Sequence, residues 1–137
     1  MTQALFDVDS IADIGSADIQ LKVNGQPLPG VVVTLAGPEH AVRKKYALDK
    51  ARRMRKQLAR TGKLELDDPV DEQEDETEHL AACVLSWRGI GKAGAPLECT
   101  RENVLALLRD PGKGWFRKSI KEAYEDAENF IQRSAAP

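Results

Sequence analysis

Cysteines, aromatic residues and long apolar runs are all scarce in this chain of 137 residues. Cys83 and Cys99 are the only cysteines, too few for a disulfide scaffold and outside C-x-x-C spacing. No apolar run approaches the roughly 20 residues that span a bilayer, and the opening MTQALFDVDS has neither the basic nor the apolar region of a secretory signal. Apolar residues reach 42%, enough for a modest core, although aromatic residues make up only 5%. We therefore expect a cytoplasmic protein of one domain with no membrane partner.

The formal net charge of −2 hides two blocks of opposite sign. Between Arg43 and Arg60 the chain carries nine basic residues and one acid, and between Glu65 and Glu78 it carries nine acids and no base. Because the two blocks nearly cancel, the chain as a whole offers no general attraction to nucleic acid. The total charge is therefore uninformative, and each block has to be considered by itself.

Residues 17–36 are predicted to form a β-ribbon. Apolar and polar residues alternate from Ile19 to Val23, the two-residue period of a strand with one buried face. The dipeptide Asn24-Gly25 then supplies the positive φ angles of a tight turn. Pro27 and Pro29 remove backbone donors, which indicates a long loop or a sheet edge and not a central strand.

Residues 39–61 are predicted to form a basic helix, and the acidic stretch 62–76 a mobile loop. The loop prediction rests on Pro69 and on the small number of apolar residues in that stretch. The helix ends at Gly62, a suitable C-cap. Its apolar residues form a narrow stripe at helical spacing, which consists of Ala47, Ala51, Met54 and Leu58.

Residues 77–133 are predicted to form a helical core. It comprises a second helix over 77–88, a short third helix that begins after Thr100, and a fourth helix from about Trp115 to Arg133. The residues expected to be buried where these helices meet are Leu80, Val84, Trp87, Leu105, Leu108, Ile120 and Phe130.

These patterns together predict an α+β fold, mostly helical, with an N-terminal β-ribbon plus a small bundle of about four helices. The single domain is expected to span 17–133, between a flexible N-terminus over 1–16 and a frayed tail over 134–137. Because a two-stranded ribbon is marginally stable alone, it must pack on the helices or pair with another chain.

Gly89, Gly91 and Gly94 spell G-x-G-x-x-G, the fingerprint of dinucleotide-binding loops. That motif binds phosphate when it follows a strand and opens a helix, because backbone N–H groups then point at the anion. Here it is predicted to follow a helix and it runs into Ala95-Pro96. We interpret it as a helix–helix loop and expect no cofactor.

His79 and Cys83 have the i, i+4 spacing of two metal ligands on one helical face. Cys99 is the only candidate for a third ligand, and His40 is distant in sequence. We therefore interpret the pair as a core thiol beside a surface histidine, without a metal. Two histidines and a run of solvated carboxylates give little scope for acid–base catalysis, so we expect no catalytic residues and no enzyme.

The basic helix is the sharpest feature of the sequence. It is predicted to bind an acidic or amphipathic protein partner, with the acidic loop as an intramolecular competitor. Nucleic acid is not the expected partner, because aromatic residues are not interleaved with the basic ones. The candidate partner-binding residues are Arg43, Lys44, Lys50, Arg53, Arg55, Lys56 and Arg60.

The second half of the chain resembles the tail assembly chaperones of long-tailed (siphovirus-like) bacteriophages. The resemblance is carried by Trp87, the glycine-containing loop that ends at Pro96, the segment Cys99-Thr100-Arg101-Glu102-Asn103-Val104, and a closing helix that ends in Asn129-Phe130. The first half is compatible, with a β-rich Pro/Gly segment followed by a charged helix and an acidic stretch.

This resemblance implies a non-enzymatic role in tail assembly. Such chaperones bind the tape measure protein before the tail tube polymerises around it, and they help to recruit tail tube subunits. They act in the cytoplasm of the bacterial host and are not expected in the mature virion. The alternatives are a structural head–tail connector or tail-completion protein, and a small DNA-binding regulator that uses the basic helix 43–60. Self-association is compatible with each of these roles.

Overall fold

The computed structural model describes residues 4–64 and 68–133. The predicted frayed tail 134–137 lies outside the described residues. The chain has an α+β fold, as predicted, with small antiparallel sheets and four α-helices in the described part. The strands are β1 (Ile11–Asp13), β2 (Ser16–Val23), β3 (Gln26–Ala36), β4 (Val84–Arg88), β5 (Gly91–Lys92), β6 (Ala95–Pro96) and β7 (Ile131–Arg133). The helices are α1 (Ala41–Thr61), α2 (Pro69–Cys83), α3 (Arg101–Arg109) and α4 (Gly114–Glu125), and single 3-10 turns span Val8–Ser10, Pro111–Lys113 and Ala127–Phe130.

The predicted ribbon is one pair of strands in a three-stranded antiparallel sheet of order β2-β3-β4. The turn at Asn24-Gly25 is confirmed, with φ angles of 50° and 80°. Pro27 and Pro29 lie within β3, which is the central strand, so the loop alternative was wrong there, whereas the edge alternative holds for this half of the strand. The sheet tolerates them because β4 pairs with β3 only between Val32 and Leu35. The proline half of β3 therefore has a partner on one side only.

The second predicted helix ends earlier than expected, and residues 84–88 form strand β4 instead. Helix α2 stops at Cys83, and Val84 and Trp87 pair with Leu35 and Val33 of the central strand. A short apolar run of this kind fits a helical and an extended period equally well. Pairing with β3, whose residues lie about 50 positions earlier in the chain, decides between the two conformations.

The acidic stretch is helical from Pro69 onward, so the prediction of a mobile loop over 62–76 was wrong for 69–76. Asp68 caps the helix, since its carboxylate accepts a hydrogen bond of 2.9 Å from the Val70 N–H. Proline suits the first helical position, and acidic side chains in the first turn are favourable near the positive end of the helix dipole. Residues 65–67 of the predicted loop lie outside the described residues.

The predicted flexible N-terminus is ordered from the 3-10 turn onward. Strand β1 pairs with β7, and the Ile14 N–H donates to the Phe130 carbonyl at 2.9 Å. Helix α4 correspondingly ends at Glu125 and not near Arg133, because Asp126 caps a 3-10 turn that returns the chain to β1. The predictions of a flexible N-terminus and of a helix up to Arg133 were wrong for the same reason, because β1 and β7 are strands only when they pair with each other.

The core lies between the β2-β3-β4 sheet and helices α2, α3 and α4. The prediction of burial is confirmed for five side chains, whereas Trp87 and Leu105 are half-buried. Trp87 stays near the surface because its indole N–H donates to the Leu97 carbonyl at 2.8 Å. The core is not purely helical, because the sheet contributes fully buried Leu21, Val33 and Leu35. The five confirmed residues are Leu80, Val84, Leu108, Ile120 and Phe130.

Candidate functional site

Helix α1 begins and ends close to the predicted positions. The His40 Nδ1 accepts a hydrogen bond of 3.1 Å from the Val42 N–H, which caps the first turn. Gly62 adopts the left-handed conformation with φ 71° and closes the last turn by donating to the Leu58 carbonyl at 2.8 Å. The helix is therefore complete in itself at both ends, although none of its residues is buried.

The first half of α1 makes the closest contacts with the rest of the domain. The Tyr46 ring stacks on the His79 ring with centroids 3.7 Å apart, and its hydroxyl donates to Asp75 at 2.6 Å. The Arg43 guanidinium lies 3.8 Å from the centre of the Tyr124 ring and donates to the Ala36 and Tyr124 carbonyls at 3.4 and 3.3 Å. Arg43 is thus a structural clamp and is not available as a simple docking charge.

His79 is buried beneath Tyr46, so the prediction of a surface histidine was wrong. Its Nε2 lies 2.9 Å from the Tyr124 hydroxyl and 3.7 Å from the Cys83 sulfur. Burial, reinforced by the nearby Arg43 charge, lowers the pKa of His79, and burial raises the pKa of Cys83 to about 11. A neutral imidazole and a protonated thiol therefore share this site at pH 7.

Within residues 4–64 and 68–133 no three His, Cys, Asp or Glu side chains converge in a way that could hold a metal ion. Of the i, i+4 pair His79 and Cys83, His79 contacts two tyrosine rings instead of further ligands. The spacing was the only sequence signal for this cluster, because Tyr46 and Tyr124 lie far from it in the chain. The cluster of Tyr46, His79 and Tyr124 anchors α1 to the rest of the domain.

The apolar stripe of α1 faces solvent. Met54 is 46% exposed and Leu58 is 48% exposed, on the part of the helix that extends beyond the Tyr46 anchor. Further toward the N-terminus, Ala47 and Ala51 line a shallow groove of about 520 Å³ beside Tyr124. Single exposed apolar residues are ordinary, but an aligned stripe along a helix with no buried residue indicates a contact surface.

The seven candidate partner-binding residues divide by their partners, and the first of them, Arg43, is the clamp on Tyr124 described above. Lys44 pairs with Glu39 at 2.8 Å and Arg53 with Asp75 at 3.8 Å, and all four of these side chains are more than one-third exposed. Lys50 lies 5.9 Å from the centre of the Tyr46 ring. In the described part of the chain, no carboxylate lies within 4.0 Å of the remaining three, which are Arg55, Lys56 and Arg60.

The acidic residues of α2 divide between contacts with α1 and contacts with helices α3 and α4. Glu76 lies 3.2 Å from both Arg117 and Lys121 of α4, and Glu74 pairs with Arg109 of α3. Asp75 is turned to α1, and Glu72 and Glu76 line a pocket together with Tyr46 and Lys50 of α1. The hypothesis that the acidic stretch 65–76 competes for the basic helix stays a prediction. In the described part of that stretch Asp75 pairs with Arg53, whereas Arg55, Lys56 and Arg60 of the last turns have no carboxylate within 4.0 Å.

The glycine motif follows a strand and not a helix, which corrects the prediction, and it leads into a hairpin. Ala93 and Gly94 form the turn between β5 and β6 with φ angles of 52° and 80°. Gly89 has a φ of 78°, and a Cβ there would lie 2.0 Å from the Gly30 carbonyl oxygen. The motif does not lead into a helix, so no helix N-terminus is present at which a phosphate could bind. Its glycines instead allow the positive φ angles and the close backbone approach of this segment.

No family model, no curated protein and no solved structure matches this chain. The described helices include none that combines the length and the apolar character needed to cross a membrane. The geometry alone therefore has to indicate what the site does. A basic helix with an exposed apolar stripe, anchored at one end, is suited to binding another chain.

Proposed function

We propose that this protein is a non-enzymatic tail assembly chaperone of a long-tailed bacteriophage. It binds the tape measure protein through α1 and helps to recruit tail tube subunits. The observation that carries the proposal is the combination, on one helix, of an exposed apolar stripe and cations that lack carboxylate partners in the described chain. The link to phage tails rests on the resemblance of residues 87–130 to that family.

The chemistry of α1 favours an amphipathic helix as the bound segment. Such a helix buries its apolar face in a matching surface through residues spaced by three or four, and the stripe from Ala47 to Leu58 has that spacing. Each square ångström of apolar surface removed from water contributes roughly 25 cal/mol. Acidic residues beside the apolar face of the partner would meet Arg55, Lys56 and Arg60 and set its register.

A protein partner fits α1 better than nucleic acid does. Phosphate backbones are bound by cations and hydrogen-bond donors, and they offer no apolar surface against which the stripe of α1 could be buried. The stripe of Met54 and Leu58 runs beside Lys50 and Arg55 on adjoining faces, so any ligand has to satisfy both kinds of side chain. A complementary protein surface does so.

Met54→Glu and Leu58→Glu test the proposal in the whole protein. We expect each variant, co-expressed with the tape measure protein, to capture at least about tenfold less of it than the wild type, because a charge replaces an apolar contact. The matched control is Val70→Glu, which adds the same charge at an apolar side chain of α2 that is 73% exposed. Equal capture by all variants would refute α1 as the docking surface.

Two further measurements separate the alternatives. A chaperone acts in the host cytoplasm and is absent from purified particles, whereas a head–tail connector or tail-completion protein is found in them at stoichiometric amounts. A DNA-binding regulator shifts labelled duplex at moderate salt, and Lys56→Glu and Arg60→Glu abolish that shift. The proposal would be overturned if the protein bound neither the tape measure protein nor the tube protein and was either present in purified particles or able to shift duplex DNA.

A further inference from the structure

A second apolar surface lies at the far end of the β2–β3 hairpin from α1. It is a cleft of about 350 Å³ between the β5–β6 hairpin and helices α3 and α4. Buried Leu21 and Phe116 contribute to its lining, and half-buried Leu28, Ile90 and Leu107 line it as well. Because these side chains are only partly covered, the cleft is an apolar contact site that the rest of its own domain does not fill.

The rim of this cleft carries a positive charge, Lys92, that forms no close ion pair with the described residues. Asp110 is occupied, because its carboxylate accepts hydrogen bonds of 2.7 Å from the Lys113 ammonium and 2.8 Å from the Gly112 N–H. Lys92 on β5 has no carboxylate within 4.0 Å among the residues that the structure describes, although the pKa of Asp110, which the hydrogen bonds from Lys113 and Gly112 lower, is lowered further by the Lys92 charge. The cleft therefore suits an apolar side chain that is followed closely by a carboxylate.

The chain itself contains a segment of that chemistry. Leu5 is 93% exposed, Phe6 69% and Val8 74%, and they stand beside acidic Asp7 and Asp9. The segment is not a loose tail, because the Asp7 carboxylate accepts a hydrogen bond of 3.0 Å from the Asp9 N–H and caps the 3-10 turn. Strand β1, which follows directly, attaches this turn to β7.

We propose that the segment Leu5–Asp9 of one copy docks in the cleft of a second copy, with Phe6 in the apolar pocket and Asp9 at Lys92. Both halves of the contact are present in every chain and have opposite charge, which is the complementarity that selects this occupant. The proposal does not depend on the role of α1 or on the identity of its partner.

The segment is placed to reach a neighbour and not its own cleft. Strand β1 lies beside the end of the sheet where Ser16 pairs with Ala36, whereas the cleft begins at Leu21 near the opposite turn. Leu21 is about 17 Å along β2 from Ser16. The chain from Phe6 to Ile11 spans at most about 18 Å when fully extended, and the 3-10 turn within it shortens that reach.

Because the two surfaces differ, the contact is heterologous and joins copies head to tail. Such contacts close into rings or continue as open chains, depending on the rotation between neighbours. Each copy then uses its cleft for one neighbour and its N-terminal segment for the other, while α1 stays exposed.

Light scattering during size-exclusion chromatography of the full chain tests the proposal. We expect a mass that rises with concentration for the wild type, and an at least about tenfold weaker association for Phe6→Asp, which removes the apolar anchor. Lys92→Glu and Asp9→Lys, at two exposed positions, should each weaken association about two- to fivefold. The double variant carrying both should regain it, because the charges are exchanged and not lost.

A mixing experiment distinguishes head-to-tail contact from other modes. Phe6→Asp keeps an intact cleft, and Leu107→Asp keeps an intact segment, so an equimolar mixture of two monomeric variants should form a dimer. Circular dichroism verifies that Leu107→Asp is folded, and the charge exchange between Asp9 and Lys92 provides the test if it is not.

A wild type that stays monomeric overturns the proposal. So does an association that Met54→Glu abolishes and Lys92→Glu leaves unchanged, because the segment would then dock on α1.

Discussion

Tyr46 of α1 stacks on His79 of α2 with ring centroids 3.7 Å apart and an angle of 13° between the ring planes. This contact, with the Tyr46 hydrogen bond to Asp75 and the Arg43 clamp, attaches a 21-residue helix that has no buried residue. The anchor explains how α1 can present an apolar stripe to solvent without coming away from the domain. It also places His79, which can titrate, directly beneath the helix that forms the proposed docking surface.

Tyr46 is the first position to test. Tyr46→Phe removes the hydrogen bond to Asp75 and should lower the free energy of unfolding by about 1 kcal/mol. Tyr46→Ala also removes the ring stack and should cost about 2 kcal/mol or more. Urea denaturation measures both costs. Amide hydrogen exchange should show faster opening of α1 in Tyr46→Ala while the sheet stays protected. Uniformly faster exchange would mean that α1 is part of the global cooperative unit.

Stability should fall as the solution is acidified through the histidine range. Burial holds the pKa of His79 below its ordinary value of 6.5, so the folded protein disfavours the protonated ring. The unfolded chain then binds more protons, and the stability that His79 contributes is complete above pH 6.5 and is lost as the pH falls toward its folded pKa. Urea midpoints at pH 7.5 and 5.5 measure this loss.

His79→Asn, which cannot titrate, should flatten that pH dependence. His40→Asn is the matched control, because asparagine is a good N-cap and the remaining His79 still titrates. If both variants keep the slope of the wild type, other groups are responsible for it. The range stays above pH 5 so that ordinary carboxylates do not contribute.

Alanine substitutions at Gly89 and Gly94 distinguish the cost of a steric clash from the cost of backbone strain. Both have φ near 80°, so alanine at either position adopts an unfavourable left-handed backbone, at a cost of about 1 kcal/mol. At Gly94 a Cβ meets nothing within 4 Å, whereas at Gly89 it would lie 2.0 Å from the Gly30 carbonyl oxygen. Gly89→Ala should therefore lose at least about 2 kcal/mol more than Gly94→Ala. Equal losses in thermal unfolding would place Gly89 away from β3.

The features that the sequence alone determined are those with a local cause. The turn at Asn24-Gly25 follows from positive φ angles, the start of α3 from the Thr100 cap, and the limits of α1 from its helical spacing and Gly62. Asp68-Pro69 is an equally local signal for the start of α2, and the acidic composition of that stretch obscured it. The seven candidate cations were found by charge, although charge did not reveal that Arg43 is a clamp.

Tertiary structure decided the features that depend on a distant partner. Val84 to Arg88 are extended because β3 offers hydrogen bonds to them, and β1 exists because Ile131 to Arg133 return to pair with it. Glu74 and Glu76 of α2 face Arg109 and Arg117 because the helices pack there, and no spacing along the chain encodes that choice. Local propensity differs by only about 1 kcal/mol between such states, so the larger energy of burial and pairing prevails.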